Sequence, residues 1–287
     1  MSTVRVAALQ MRATMGVGRN VEAFEALVRE AADKGAAYVQ SPEMTGALVR
    51  DRATLTSLIT SADKDAVAAK ASALAAELGI HIHVGSTAIA RDDGKVANRA
   101  FLYGPDGGLI ANYDKIHMFD VDLDNGESWR ESNTYEPGKE TVVADLGFAR
   151  LGMSVCYDLR FPQLFRAQAL AGAEIMTVPA AFTRQTGEAH WHVLLRARAI
   201  ENGAFVIAAA QGGKHEDGRE TYGHSLIIDP WGTVIAEADH DEPGVVIAEI
   251  DTAKVAAARG KIPNLGNARP FEVRTVPAAP TPERRAS

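Results

Sequence analysis

Apolar and polar positions follow two different periods along this chain, and the switch between them recurs. Val4–Gln10 is a short apolar run of strand length. Val21–Lys34 then sets Val21, Phe24, Leu27 and Val28 on one face at helical spacing. This pattern predicts a helix capped by Asn20 and stopped by Gly35. Ala37–Gln40 reads as a second strand ending at Ser41 and Pro42, Ala66–Leu78 as an alanine-rich helix closed by Gly79, and Ile80–Gly85 as a third strand. The order is βαβαβ, expected of parallel strands joined by crossover helices.

The middle of the chain changes character. Val96–Tyr103 and Leu109–Tyr113 flank the turn residues Pro105 to Gly108, which predicts an antiparallel hairpin. Asp114–Lys139 is polar, carries Gly126, Pro137 and Gly138, and has little periodicity. A loop of that length inside a compact domain points to function. Thr141–Asp145 and Arg150–Val155 form another strand pair. The βα rhythm returns with a helix from Pro162 to Ala171, a strand over Ala173–Val178, a long helix over Glu188–Asn202 and a strand over Ala204–Ala210. Ser225–Asp229 and Thr233–Glu237 make a hairpin, and Gly244–Ile250 is the last strand. A single domain over residues 1–260 is expected, followed by an extended C-terminal arm over 261–287 that is rich in proline and small residues. The fold class is α/β, with helices outside sheets. A four-layer αββα sandwich and a single doubly wound sheet both satisfy the periodicity.

Composition narrows the function. The 287 residues include 30 Lys and Arg against 37 Asp and Glu, a net charge of −7. Nucleic-acid binding calls for a basic surface, so no nucleic-acid partner is expected. No stretch reaches the roughly 20 apolar residues of a membrane span, so no membrane partner is expected. The N-terminal MSTVRVAALQ lacks the regions of a signal peptide, and the expectation is a cytoplasmic protein. A single cysteine excludes internal disulfides and any metal cluster built on cysteines alone. His81 and His83 alternate along a strand without a nearby third ligand, so no metal is assigned to them.

That single cysteine, Cys156, lies between a strand and the helix-starting Pro162, where a turn exposes a side chain to outward-pointing N–H groups. A lone cysteine is ordinarily a small buried apolar residue, and its activation needs a specific environment. Glu43 and Lys115 also stand at strand ends, where α/β folds gather their sites.

Pro42 with Glu43, the segment Lys115–Asp120 and the segment Cys156–Pro162 together resemble the three signatures of the nitrilase superfamily, in order and at similar separations. The resemblance runs from about Val4 to Asp251. It implies the αββα sandwich, a Glu–Lys–Cys triad carried onto Glu43, Lys115 and Cys156, and a second glutamate at Glu131. Thr186–Trp191, Leu195–Asn202, Ala208–Gln211 and Tyr222–Val234 resemble the branch whose members act as deaminated glutathione amidases, with the omega-amidase branch a close neighbour. The segment Met44–Gly46 lacks an aromatic often found just beyond the first glutamate, and the loop Asp120–Arg130 has its own composition.

The reaction so implied is hydrolysis of a small amide bearing a carboxylate, through a Cys156 thioester, to an acid plus ammonia or an amine. No cofactor and no metal enter it. Nitrile and N-carbamoyl hydrolysis are the rival activities, and a silent metabolite-binding scaffold is the rival outside enzymes. Glu43 would act as general base, with burial expected to raise its carboxyl toward the working range. Lys115 would oppose that shift, favour thiolate at Cys156 and, with the N–H of Tyr157, receive the oxyanion. Phe182, Thr183, Arg184 and His190 are the further candidates for the substrate pocket. Arg184, Lys214, His215 and Arg219 are candidate cations for substrate carboxylates, and Asp158 with Arg160 a candidate structural ion pair. The resemblance also implies a homodimer or larger homo-oligomer.

Overall fold

Alternation along the first strand sets the order of the layers. Val6 and Ala8 join an apolar cluster with Leu151, Met153, Ile175 and Val206. Ala7 and Leu9, pointing the other way, join Phe24, Val28, Val67 and Leu74 on two helices. One strand thus buries both faces, one against a second sheet and one against helices.

The computed structural model describes residues 3–123, 126 and 128–277. The first half contains β1 (Thr3–Gln10), α1 (Val17–Asp33), β2 (Tyr38–Gln40), α2 (Arg52–Leu58), α3 (Ala66–Leu78), β3 (His81–Ala90), β4 (Val96–Tyr103) and β5 (Leu109–Asp114). A short ladder of β6 (Asp120–Asp122) and β7 (Ser128–Arg130) follows. The second half contains β8 (Val142–Asp145), β9 (Arg150–Met153), α4 (Pro162–Leu170), β10 (Ile175–Thr177), α5 (Arg184–Asn202) and β11 (Phe205–Ala208). Then come β12 (Gly212–Lys214), β13 (Glu220–Tyr222), β14 (Leu226–Ile228), β15 (Val234–Glu237), β16 (Gly244–Asp251) and α6 (Ala253–Lys261).

The two main sheets have six strands each, in the orders β16-β1-β2-β3-β4-β5 and β15-β14-β11-β10-β9-β8. Each has a parallel centre, β1-β2-β3 in one and β9-β10-β11 in the other, flanked by antiparallel strands. Helices α1 and α3 cover the first sheet, and α4 and α5 cover the second. The four-layer αββα sandwich is the arrangement that holds. No described helix is long and apolar enough to cross a membrane. The arm beyond Lys261 is exposed at Phe271 and Val273, and its residues 278–287 lie outside the described residues.

Some boundaries differ from the periodicity for physical reasons. Helix α1 starts at Val17, so Asn20 is inside it and buried instead of capping it. Its amide donates to the Thr14 and Gly46 carbonyls at 2.9 Å each, tying the first turn of α1 to the loop after β2. Helix α5 starts at Arg184, ahead of the expected Glu188.

Gly85 brings the two sheets together at their strand ends. It stands where the β3–β4 register shifts, and its N–H donates to Ser41 Oγ at 3.1 Å. A Cβ at this position would overlap the Ser41 and Pro42 carbonyl oxygens and the Pro179 ring. Backbone crowding of this kind has no rotamer to relieve it. Gly85→Ala is therefore expected to lower unfolding free energy by about 2 kcal/mol or more, read from the urea midpoint. An unchanged midpoint would remove Gly85 from this role.

Candidate active site

Three strand ends converge beneath this crossing. Glu43 follows β2, Lys115 follows β5 and Cys156 follows β9. The Pro42–Thr45 loop is held by the β3 bulge: Met44 N–H donates to Ser86 Oγ at 3.0 Å, and Thr45 N–H donates to the Ser86 carbonyl at 2.8 Å. Met44 and Cys156 both have positive φ, 57° and 50°. Such backbone costs of order 1–3 kcal/mol per residue and persists where surrounding bonds over-determine it.

At Cys156 those bonds are visible. Its N–H donates to the Pro179 carbonyl at 2.9 Å, while Val155 N–H donates to Asp158 Oδ2 at 2.8 Å. Buried Asp158 also accepts from the Tyr113 hydroxyl at 2.7 Å and from His117 N–H at 3.1 Å, and its Oδ1 lies 2.7 Å from His117 Nδ1. Asp158 thus clamps the turn without Arg160. That arginine instead lies 3.4 Å from the His190 ring and over the face of Phe182, so the expected ion pair is absent.

Lys115 is the hub. Its Nζ donates to Glu43 Oε1 at 3.0 Å and to Glu131 Oε1 and Oε2 at 3.0 and 2.8 Å. Glu43 Oε1 also accepts from Asn98 Nδ2 and Oε2 from Ala181 N–H, both at 2.9 Å. Asn98 reaches Glu131 Oε1 at 3.2 Å as well, and Phe119 N–H donates to Glu131 Oε2 at 2.7 Å. Cys156 lines the same cavity as Glu43, Lys115 and Ala181. Lys115, Glu43 and Cys156 are only 2%, 4% and 7% exposed.

Electrostatics here reverses part of the sequence expectation. Burial pushes Glu43 up, but the Lys115 charge and the hydrogen bonds from Cys156, Lys115 and Asn98 outweigh it, so its carboxyl sits below the ordinary value. Burial and the adjacent Glu43 charge push the Cys156 thiol well up, and Lys115 does not reverse this. Burial lowers Lys115, yet Glu131 and Glu43 lift it well above the ordinary lysine range. The resting charges are a carboxylate at Glu43, an ammonium at Lys115 and a neutral thiol at Cys156.

A cavity of about 240 Å³ opens onto these groups. Tyr157, Phe182 and Thr183 line it, together with Glu43, Lys115, Glu131 and Cys156. Arg184 and His190 do not. As the first residue of α5, Arg184 is 53% exposed and pairs with Glu188 and Asp241 at 3.3 and 3.4 Å. His190 is exposed farther along the same helix. Among the candidate cations, Arg219 lines the cavity, Lys214 is exposed, and buried His215 bonds to the Ala13 carbonyl and Thr221 Oγ1. Asn98 and Tyr135 were not singled out from sequence. A buried Asn in the apolar strand Val96–Tyr103 was the available signal for the first. Among the described residues, no group of three or more His, Cys, Asp or Glu side chains is placed to hold a metal ion.

Comparison with known proteins shows the family. Residues 5–260 match the family model for carbon-nitrogen hydrolases. A deaminated glutathione amidase of Yersinia enterocolitica is 47% identical over 199 residues, which cover 68% of this chain and 69% of that protein. A deaminated glutathione amidase of Synechocystis is 39% identical over 266 residues, 90% of this chain and 96% of that protein. The crystal structure of the C. elegans NitFhit protein superposes with a TM-score of 0.87 at 32% identity, covering 94% of this chain and 66% of that longer one. The chain belongs to the carbon–nitrogen hydrolase family of the nitrilase superfamily, and it is a hydrolase of carbon–nitrogen bonds.

Proposed function

We propose that this hydrolase is a thiol-dependent amidase whose substrate is deaminated glutathione or a close carboxylate-bearing amide. The observation that carries the reading is Cys156 lining one cavity with a Glu43 carboxylate that Lys115, 3.0 Å away, keeps ionised. The names and extents of the two bacterial relatives support the substrate.

In the proposed sequence, Cys156 Sγ attacks the amide carbonyl while its proton passes to Glu43. Transfer in the free enzyme is uphill, because the carboxyl is held low and the thiol high. It becomes favourable as the C–S bond forms and the thiol proton acidifies, so base and nucleophile act in one step. The oxyanion is received by Lys115 Nζ and the Tyr157 N–H. Glu43 then protonates the departing nitrogen, the C–N bond breaks, and a thioester remains on Cys156. Water attacks the thioester, giving its proton to Glu43, and the acid and thiol are released. Glu131, with both oxygens on Lys115, fixes the ammonium and is a positioning residue.

Two outcomes test this. Intact-mass analysis with deaminated glutathione and slow amides is expected to reveal an acyl adduct on the wild type, with an amine released, and none on Cys156→Ala. A wild type that gains no adduct and releases no amine or ammonia across a broad amide panel would establish the silent-scaffold alternative. The pH profile of kcat/KM follows from the resting charges. Activity needs ionised Glu43, so it falls as pH falls through a value below 4.5, the ordinary glutamate value. A limb centred near neutrality and abolished in Glu43→Gln would contradict that direction.

A further inference from the structure

The cavity has a floor and a rim of different electrical character. The floor carries the carboxylates of buried Glu43 and partly exposed Glu131 against one ammonium, Lys115, with the thiol neutral. That leaves one negative charge, which disfavours a substrate carboxylate and suits a neutral amide. At the rim the lining residues include three guanidinium groups, Arg50, Arg130 and Arg219. Arg130 is held by Asp122 at 2.8 and 2.9 Å, and Arg219 by Asp217 at 2.8 Å. Rim acid Glu220 lies opposite Lys214 in the β12–β13 ladder.

Arg50 differs. It is exposed, and among the described residues it makes no ion pair. Its guanidinium lies 4.5 Å from the centre of the Trp129 ring and donates to the Ser128 carbonyl at 3.4 Å, a long bond. Arg219 lies 5.0 Å from the centre of the same ring. Trp129 is itself placed by the β6–β7 ladder, opposite Val121, and tilts against Phe119. One indole therefore gathers two cations from separate loops at the mouth of the cavity. Stacking leaves guanidinium edges available for planar, bidentate hydrogen bonds to a carboxylate.

We propose that Arg50, with Arg219 and seated on Trp129, is the receptor for a substrate carboxylate, and that it sets the preference for anionic over neutral amides. The inference rests on the amidase reading above and deepens it. It divides the cavity between a floor that takes the neutral scissile amide and a rim that takes the charge at the other end of the molecule.

The test compares deaminated glutathione with its fully methyl-esterified form, following amine release by the wild type and by Arg50→Gln, Arg50→Lys and Arg184→Gln. The wild type is expected to prefer the anionic substrate. In Arg50→Gln the ratio of kcat/KM, anionic over esterified, falls by about tenfold or more, mostly through KM. Arg50→Lys retains part of the ratio, because a point charge replaces a planar fork. Arg184→Gln, outside the cavity, leaves it unchanged. Added salt raises KM for the anionic substrate and not for the ester. An unchanged ratio in Arg50→Gln, or a wild type that treats both substrates alike, overturns the receptor while leaving the amidase intact. A wild type that releases amine from neither and forms no acyl adduct overturns the amidase reading and the receptor with it.

Discussion

An ammonium held between two carboxylates in the protein interior organises the rest of this site. Lys115 is buried, and taking a charge out of water is strongly unfavourable unless partners and hydrogen bonds replace the lost solvation. Here Glu43 and both oxygens of Glu131 do so at 2.8–3.0 Å. The carboxylates in turn need donors, and Asn98, the Ala181 N–H and the Phe119 N–H supply them. These bonds link Lys115, Glu43, Glu131 and Asn98 into one unit whose geometry is shared. Breaking a buried pair of this kind on one side leaves an uncompensated charge and costs about 3–5 kcal/mol.

This unit also dictates how the thiol can react. The Lys115 charge favours a thiolate, yet burial and the Glu43 carboxylate outweigh it, and the proton stays on sulfur. A resting thiolate would be open to oxidation and to any passing electrophile. A resting thiol beside a carboxylate becomes nucleophilic as an acyl carbon approaches. The backbone serves the same end, since positive φ at Cys156 and at Met44 aims both strand ends into one cavity. Asp158 and the β3 bulge at Gly85 and Ser86 hold those two conformations in place.

Much of the scaffold was legible in the sequence because periodicity and turn residues report local geometry. Helix α3 matches its predicted span, with Asp65 accepting the Ala68 N–H at one end and Gly79 left-handed at the other. The hairpin around Pro105 and Gly107 and the strand pair before Cys156 are equally local. The start of α5 was hidden because Arg184 to Gly187 is polar and ends in glycine. That glycine is needed, since a Cβ there would strike the Tyr222 ring. Helix α2 buries only Leu55, and so carries no apolar face to detect. The convergence of Glu43, Lys115 and Cys156 on one cavity was legible through motif resemblance, whereas Asn98 was not, because its partner Glu43 lies 55 residues away in the chain. The direction of the Glu43 shift was also out of reach. It is a balance between burial and a lysine whose distance only the fold specifies.

In the free enzyme Lys115 keeps the charge on Glu43, while burial and that charge keep the proton on Cys156. Ultraviolet difference titration of the thiolate, wild type against Cys156→Ala, measures this directly. No thiolate absorbance is expected at neutral pH, and it appears only above 9.0, the ordinary thiol value. A full thiolate signal at pH 7 would contradict that expectation.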